Sequence, residues 1–271
     1  MITYQLINAL AQADAASHLI ARSACQHLPG TALINEMRAQ KSVADTRFGC
    51  APFTRITLLP DALWKDNLTE GLLNALRPLF ADPVSETVII DVTEIDDTVL
   101  AQLLRFVFNQ AHRLSDLQLK KPDASAIRLR HFTALCLPEQ QAHVESIFRQ
   151  QQAIANGMIA ARRLSDMPSD RCTPQFVVEE SQRLCAAFPS LRCESLDEKQ
   201  IVEQGLGLLH AVGKGAACPS RLLAIHYDGI EDGQVRCYVA KGITFHTGGV
   251  GLKDGAGMYT MKGDMCGAAK E

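Results

Sequence analysis

From Pro138 to Pro168 the chain carries no proline, and the apolar residues Val144, Ile147, Phe148, Ile154, Met158 and Leu164 recur at helical spacing. A helix that opens at Pro138 must stop before Pro168, because proline drives the residue ahead of it out of helical geometry. Such a long helix, placed after a complete strand–helix pattern, is a natural connector between domains. The 271 residues also amount to about two domains by length. The expected organisation is an N-terminal α/β domain over 1–137, a linking helix over 138–167 and a second domain over 168–271.

Upstream of that helix the pattern alternates. The opening stretch is ambiguous between a helix over 5–20 and a short strand at Ile2–Leu6. Arg55–Leu59 reads as a strand ended by Pro60. Residues 62–80 place Leu68, Leu72, Leu73, Leu76, Leu79 and Phe80 on one helical face. Thr87–Val92 is a short β-branched apolar run, the signature of a strand buried on both faces. Asp97 suits an N-cap for a helix carrying Val99, Leu100, Leu103, Leu104 and Val107. A further strand is expected at 126–132. Alternation of this kind argues an α/β class. Downstream, Thr173-Pro174 marks a helix start by cap and N1 proline. Asp197 and Gln200 form a capping box for a short helix closed by Gly205. Arg221–His226 and Arg236–Phe245 read as strands.

Charge excludes some partners. With 27 basic and 30 acidic residues the net charge is −3, so no strong field favours nucleic acid or an anionic membrane. No run of 18 apolar residues suggests a membrane span. The first twenty residues have no basic region and are interrupted by Asp14, unlike a signal peptide. The nine cysteines are scattered without any Cys-x-x-Cys, which argues against a zinc finger or disulfide framework. They are expected to act as small hydrophobes, most of them buried, in a reducing cytoplasm.

Chemistry concentrates between Lys241 and Glu271, KGITFHTGGVGLKDGAGMYTMKGDMCGAAKE. Its glycines permit close backbone approach to a ligand. It contains neither G-x-x-x-x-G-K-[ST] nor a G-x-G-x-x-G that opens a helix, so a phosphate cradle is disfavoured. On spacing alone, Lys241, His246, Lys253, Lys262 and Asp264 are candidate site residues or ordinary surface residues of a solvated loop.

The motif Lys241-Gly-Ile-Thr-Phe-His-Thr-Gly-Gly, then Leu252-Lys253, then Met261-Lys262-Gly263-Asp264-Met265-Cys266-Gly267-Ala268-Ala269, resembles the leucyl (cytosol) aminopeptidase family. That family's pattern is KG-[IVL]-TFD-[ST]-GG, a lysine shortly after, and MK-x-DM-x-GAA. Residues 162–174 (RRLSDMPSDRCTP) and 205–223 (GLGLLHAVGKGAACPSRLL) are similar to its upstream stretches. The match is specific over about 160–271, while the N-terminal part corresponds only in size and α/β character.

The resemblance implies a macro-domain-like N-terminal α/β domain joined to the first part of a zinc-exopeptidase-like α/β catalytic domain. It further implies hydrolysis of N-terminal residues from peptides at a site of two divalent ions, Mn, Zn or Mg. Lys241 and Asp264 stand at metal-ligand positions, and Lys253 at that of the catalytic lysine which stabilises charge on the carbonyl oxygen. Homo-oligomers, hexamers in the family, are implied as well.

Two departures temper this. His246 stands where the family has an aspartate bridging both ions, and an imidazole offers one lone pair where a carboxylate has two oxygens. The family's later N-T-D-A-E-G-R segment, with its aspartate, glutamate and arginine, does not occur in the 271 residues. The expectation is a truncated, partly degenerate member, binding at most one divalent ion weakly and catalytically incompetent alone. The alternative is a non-catalytic relative serving as a binding or interaction module.

Overall fold

The computed structural model describes residues 2–12, 17–22, 36–37, 39, 45–48, 53, 55–64, 69–81, 85–110, 112, 129–230 and 233–270. The chain falls into two compact units, Met1–Ile159 and Ala160–Glu271.

In the first unit six strands form one sheet: β1 (Thr3–Ile7), β2 (His18–Arg22), β3 (Asp45–Phe48), β4 (Arg55–Leu59), β5 (Thr87–Asp91) and β6 (His131–Leu135). Their spatial order is β1-β6-β5-β2-β4-β3, with every pairing parallel except β3 against β4. Alternate residues face opposite sides, as the pleat requires. Ile20, Ile90 and Phe132 join one apolar cluster, while Leu19, Ile89 and Leu135 join another. The first face is covered by α1 (Thr69–Ala81), α2 (Asp97–Asn109) and α3 (Gln141–Asp166) through Leu76, Leu104 and Phe148. Burial on both sides explains why these strands are continuous apolar runs.

Several expectations shift. Of the two readings of the opening stretch, the strand at Ile2–Leu6 holds as β1 (Thr3–Ile7), followed by a short 3-10 turn at Leu10–Gln12 and β2, while the helix over 5–20 does not form; ladder partners on β6 and β4 override its helical spacing. The helix over 62–80 resolves into a 3-10 turn at Asp61–Trp64 and α1, with 65–68 outside the described residues. Asp96, not Asp97, caps α2, its carboxylate accepting from the Thr98 amide at 2.8 Å. The strand expected at 126–132 lies at His131–Leu135, where the ladder with β1 and β5 fixes it; 126–128 fall outside the described residues. Helix α3 follows a 3-10 turn at Pro138–Gln140.

The second unit is built from α4 (Pro174–Ala187), β7 (Leu191–Leu196), α5 (Glu198–Glu203), α6 (Gly207–Gly213), β8 (Leu222–Tyr227), α7 (Gly255–Thr260) and α8 (Cys266–Lys270). Thr173 caps α4 by accepting from the Phe176 amide, with Pro174 at its first position. The Asp197–Gln200 capping box is formed, and Gly205 closes the turn after α5 with φ of 70°. Strands β7 and β8 pair antiparallel as a two-stranded sheet.

Arg236–Phe245 is not a strand. It runs outside any ladder among the described residues, with Val239 93% exposed, because β propensity without a partner edge leaves its backbone to water. Among the described cysteines all are free, and Cys136, Cys172 and Cys185 are buried. Cys193 and Cys266 are half-buried and Cys218 and Cys237 exposed, the last two on segments outside strand and helix, so burial of most cysteines is not met among the described residues; Cys25 and Cys50 lie outside them. No helix among the described residues is long and apolar enough to cross a membrane.

The architecture is mixed α/β, with a six-stranded, mostly parallel sheet in the first unit.

Candidate functional site

Three of the five candidate residues, Lys241, His246 and Asp264, meet in the second unit. Met265, 1% exposed, packs with Met167 and Cys172 and anchors the turn between the 3-10 segment Met261–Gly263 and α8. Beside that anchor stands Asp264. The Lys241 ammonium donates directly to Asp264 Oδ2. His246 brings Nε2 to 3.1 Å from the same oxygen. Its other ring nitrogen, Nδ1, donates to the Thr244 carbonyl at 3.0 Å, fixing the plane of the imidazole.

Lys253 is the fourth candidate and makes no direct contact with the cluster, although its charge acts on Asp264. It is brought in by the glycine turn. Gly248, Gly249 and Gly251 adopt φ of 77°, 125° and 66°, a region in which side chains other than glycine are strained. A Cβ at Gly248 would lie 3.0 Å from Lys253 Cε, a close approach that the flexible lysine could relieve, so it is the positive φ that calls for glycine here. Immediately after it, Asp254 caps α7 by accepting from the Gly257 amide at 2.6 Å.

Electrostatically, one carboxylate faces three basic side chains. The hydrogen bond from Lys241 holds the Asp264 carboxyl below the usual carboxylate range, with the charges of Lys241, His246 and Lys253 adding to it.

The donor chemistry decides what such a cluster can hold. Asp264 offers hard oxygen, and His246, with Nδ1–H tied to a carbonyl, has Nε2 aimed at the same point, the arrangement in which a neighbouring acceptor orients a metal-binding imidazole. Lys241 joins only as the neutral amine. These groups fit one divalent ion. Among the described residues no cluster of three or more His, Cys, Asp or Glu side chains has the makings of a metal site.

Two contacts support this cluster, one through Lys262, which the sequence offered as a candidate without a partner, and one through Asp254, which it did not single out. Lys262 donates from Nζ to the Asp166 carbonyl at 3.1 Å, holding the segment before Asp264 against the last turn of α3, and lies 5.3 Å from the Tyr259 ring centroid. Lysine at a helix C-terminus satisfies a carbonyl the helix leaves open, but nothing local in the sequence pairs residues 166 and 262. Asp254, by contrast, was findable: an aspartate three residues before Gly257 and ahead of an uninterrupted short helix is an N-cap pattern.

Residues 159–270 match the catalytic domain of the cytosol aminopeptidase family. A probable cytosol aminopeptidase of Pseudomonas fluorescens (strain Pf0-1) is 37% identical over 227 residues, 83% of this chain and 43% of that protein. A cytosol aminopeptidase of Pseudomonas aeruginosa (strain PAO1) is 42% identical over 151 residues, 55% of this chain and 30% of that protein. The chain thus spans less than half the length of these curated relatives. Among solved structures, the bottromycin maturation enzyme BotP in complex with Mn superposes with a TM-score of 0.62 at 19% identity, covering 95% of this chain and 54% of that one.

Proposed function

We propose that the Lys241–His246–Asp264 cluster, within the stretch that matches the cytosol aminopeptidase catalytic domain, forms a single divalent-ion position of an aminopeptidase-type site. The observation that carries this reading is the convergence of Lys241 Nζ and His246 Nε2 on one Asp264 oxygen. Peptides with a free N-terminus are the substrate class, in the cytoplasm, and Mn, Zn or Mg is the ion. A bound ion supplies Lewis acidity toward a peptide carbonyl. Asp264 and His246 would hold it, with Lys241 as the third donor. Lys253 would direct its ammonium to the carbonyl oxygen, favouring the negative charge that develops there.

Weak binding follows from competition. To coordinate, Lys241 must give up the proton with which it now holds Asp264, and that cost is subtracted from the affinity. With one carboxylate in the site, this polypeptide alone does not turn over leucine anilides above background, and His246→Asp alone does not rescue it. The histidine at the position of the bridging aspartate also favours a second reading, a non-catalytic binding module; bound but unhydrolysed peptide would distinguish it.

Calorimetric titration of the 271-residue polypeptide with Mn²⁺ tests the proposal. One weak site, lost in Asp264→Asn, is expected. Two tight sites, or metal-dependent turnover abolished by Lys253→Ala, would overturn it.

A further inference from the structure

We propose that Gly267 is a positioning residue for Lys241, an inference that builds on the single-ion reading of the site. Residue 267 lies in the first turn of α8, three residues past Asp264, and belongs to neither the ligand set nor the catalytic lysine. A Cβ there would sit 3.3 Å from both the backbone nitrogen and the backbone oxygen of Lys241. Those atoms are main chain and cannot swing aside. The next residue completes the seat, the Ala268 amide donating to the Lys241 carbonyl at 3.0 Å. On the other side a Cβ at Gly242 would reach 3.4 Å from the Ala268 Cβ, so the two segments touch through their smallest residues.

This seat does what a ladder does elsewhere. Lys241 belongs to the extended stretch that has no strand partner among the described residues. Its backbone is held by α8, the same helix whose N-terminal approach carries Asp264. Anchoring both residues to one short helix fixes the distance from Lys241 Nζ to Asp264 Oδ2. A methyl at 267 pushes the Lys241 backbone outward by a few tenths of an ångström, and the lysine then meets the carboxylate and the ion off-centre.

The test uses the full 271-residue chain in four forms: wild type, Gly267→Ala, Lys241→Gln and the double variant. Mn²⁺ affinity is expected to fall about tenfold in Gly267→Ala. Lys241→Gln retains the residual affinity of Asp264 and His246, and adding Gly267→Ala to it costs nothing more. Undiminished affinity in Gly267→Ala, or the same tenfold loss in the Lys241→Gln background, would overturn the proposal. Gly255→Ala, at a glycine with open space around it, serves as control and keeps wild-type affinity.

A second readout needs no metal. The ion-paired Lys241 ammonium gives a slowly exchanging ¹⁵N-detected signal in wild type, which disappears in Gly267→Ala; its persistence overturns the proposal. Wild type that binds no Mn²⁺ would count against the single-ion reading alone, since this signal still decides the role of Gly267. Should Gly267→Ala fail to fold by circular dichroism, Ala268→Pro tests the same seat by removing the amide that donates to the Lys241 and Met265 carbonyls, and an unchanged ammonium signal with unchanged Mn²⁺ affinity overturns the proposal, proline being tolerated in a first helical turn.

Discussion

The sheets of the two units put similar apolar residues to different use. Every residue of β4 is buried, as are four of five in β5 and in β6. In β8 not one residue is fully buried, and Ile225 and Tyr227 are 46% and 73% exposed. The first unit therefore stands on its core: Phe132, Phe148 and Phe108 form an aromatic cluster, with Phe148 stacked on Phe132 at 5.5 Å and edge-on to Phe108 at 6.0 Å. The second has a small cluster around Met167, Cys172 and Met265, and relies on caps, glycine turns and single hydrogen bonds. Stability in one and geometry in the other answer to different kinds of substitution.

The strongest way to break this contrast is truncation of a core aromatic. Phe148→Ala should destabilise the first unit by about 3–5 kcal/mol, the cost of a large buried side chain and its cavity. Ile225→Ala, half in water already, should cost roughly 1 kcal/mol or less. Urea titration followed by probes in each unit measures both. Equal losses would mean that the exposure of β8 does not reflect its energetics.

A smaller effect separates the units by pH. Burial, with the Arg55 guanidinium adding to it, holds the His18 imidazole at about 3, and its Nε2 lies 2.9 Å from Thr57 Oγ1. A histidine depressed below its unfolded value of 6.5 leaves stability intact above pH 6.5. As pH falls from 6.5 toward 3 the unfolded chain takes the proton first, and stability drops by on the order of 1 kcal/mol per pH unit. His18→Gln should flatten that slope in the first unit. An unchanged slope between pH 6 and 4 would place the acid sensitivity elsewhere.

The contrast also sets what could be read from the sequence. β4 and β5 were legible because strands covered on both faces write themselves as unbroken apolar runs, whereas β1 was readable only as one of two alternatives and β2 not at all, since their stretch carries spacing that a helix also satisfies. Their pairing with β6 and β4 is non-local and leaves no trace in a short window. Arg236–Phe245 fails the opposite way: its β-branched residues favour a strand, yet propensity makes none without an edge to pair with. At the site, Lys241, His246, Lys253 and Asp264 stand out through motif and residue type. The contacts that set their geometry do not, because Gly267 against Lys241 and Lys262 against Asp166 are spatial facts between distant positions.

The smallest expected effect lies at the Asp254 cap. Helix α7 is six residues long and has no buried residue, so neither length nor core packing holds it. Its first turn depends on Asp254, whose carboxylate accepts from the Gly257 amide while its carbonyl accepts from the Met258 amide at 2.9 Å. Asp254→Ala removes the side-chain bond and should cost about 1 kcal/mol locally. In the second unit that loss has a place to appear without global unfolding, since regions with few buried contacts open on their own. Hydrogen exchange at Gly257 and Met258 should accelerate roughly fivefold, the equivalent of 1 kcal/mol, while the urea midpoint of the first unit stays put. Asp254→Asn keeps an acceptor oxygen and should restore most of the protection. Unchanged exchange in Asp254→Ala would mean that α7 is held by something other than its cap, and the picture of a unit shaped by local bonds would fail where it is most exposed.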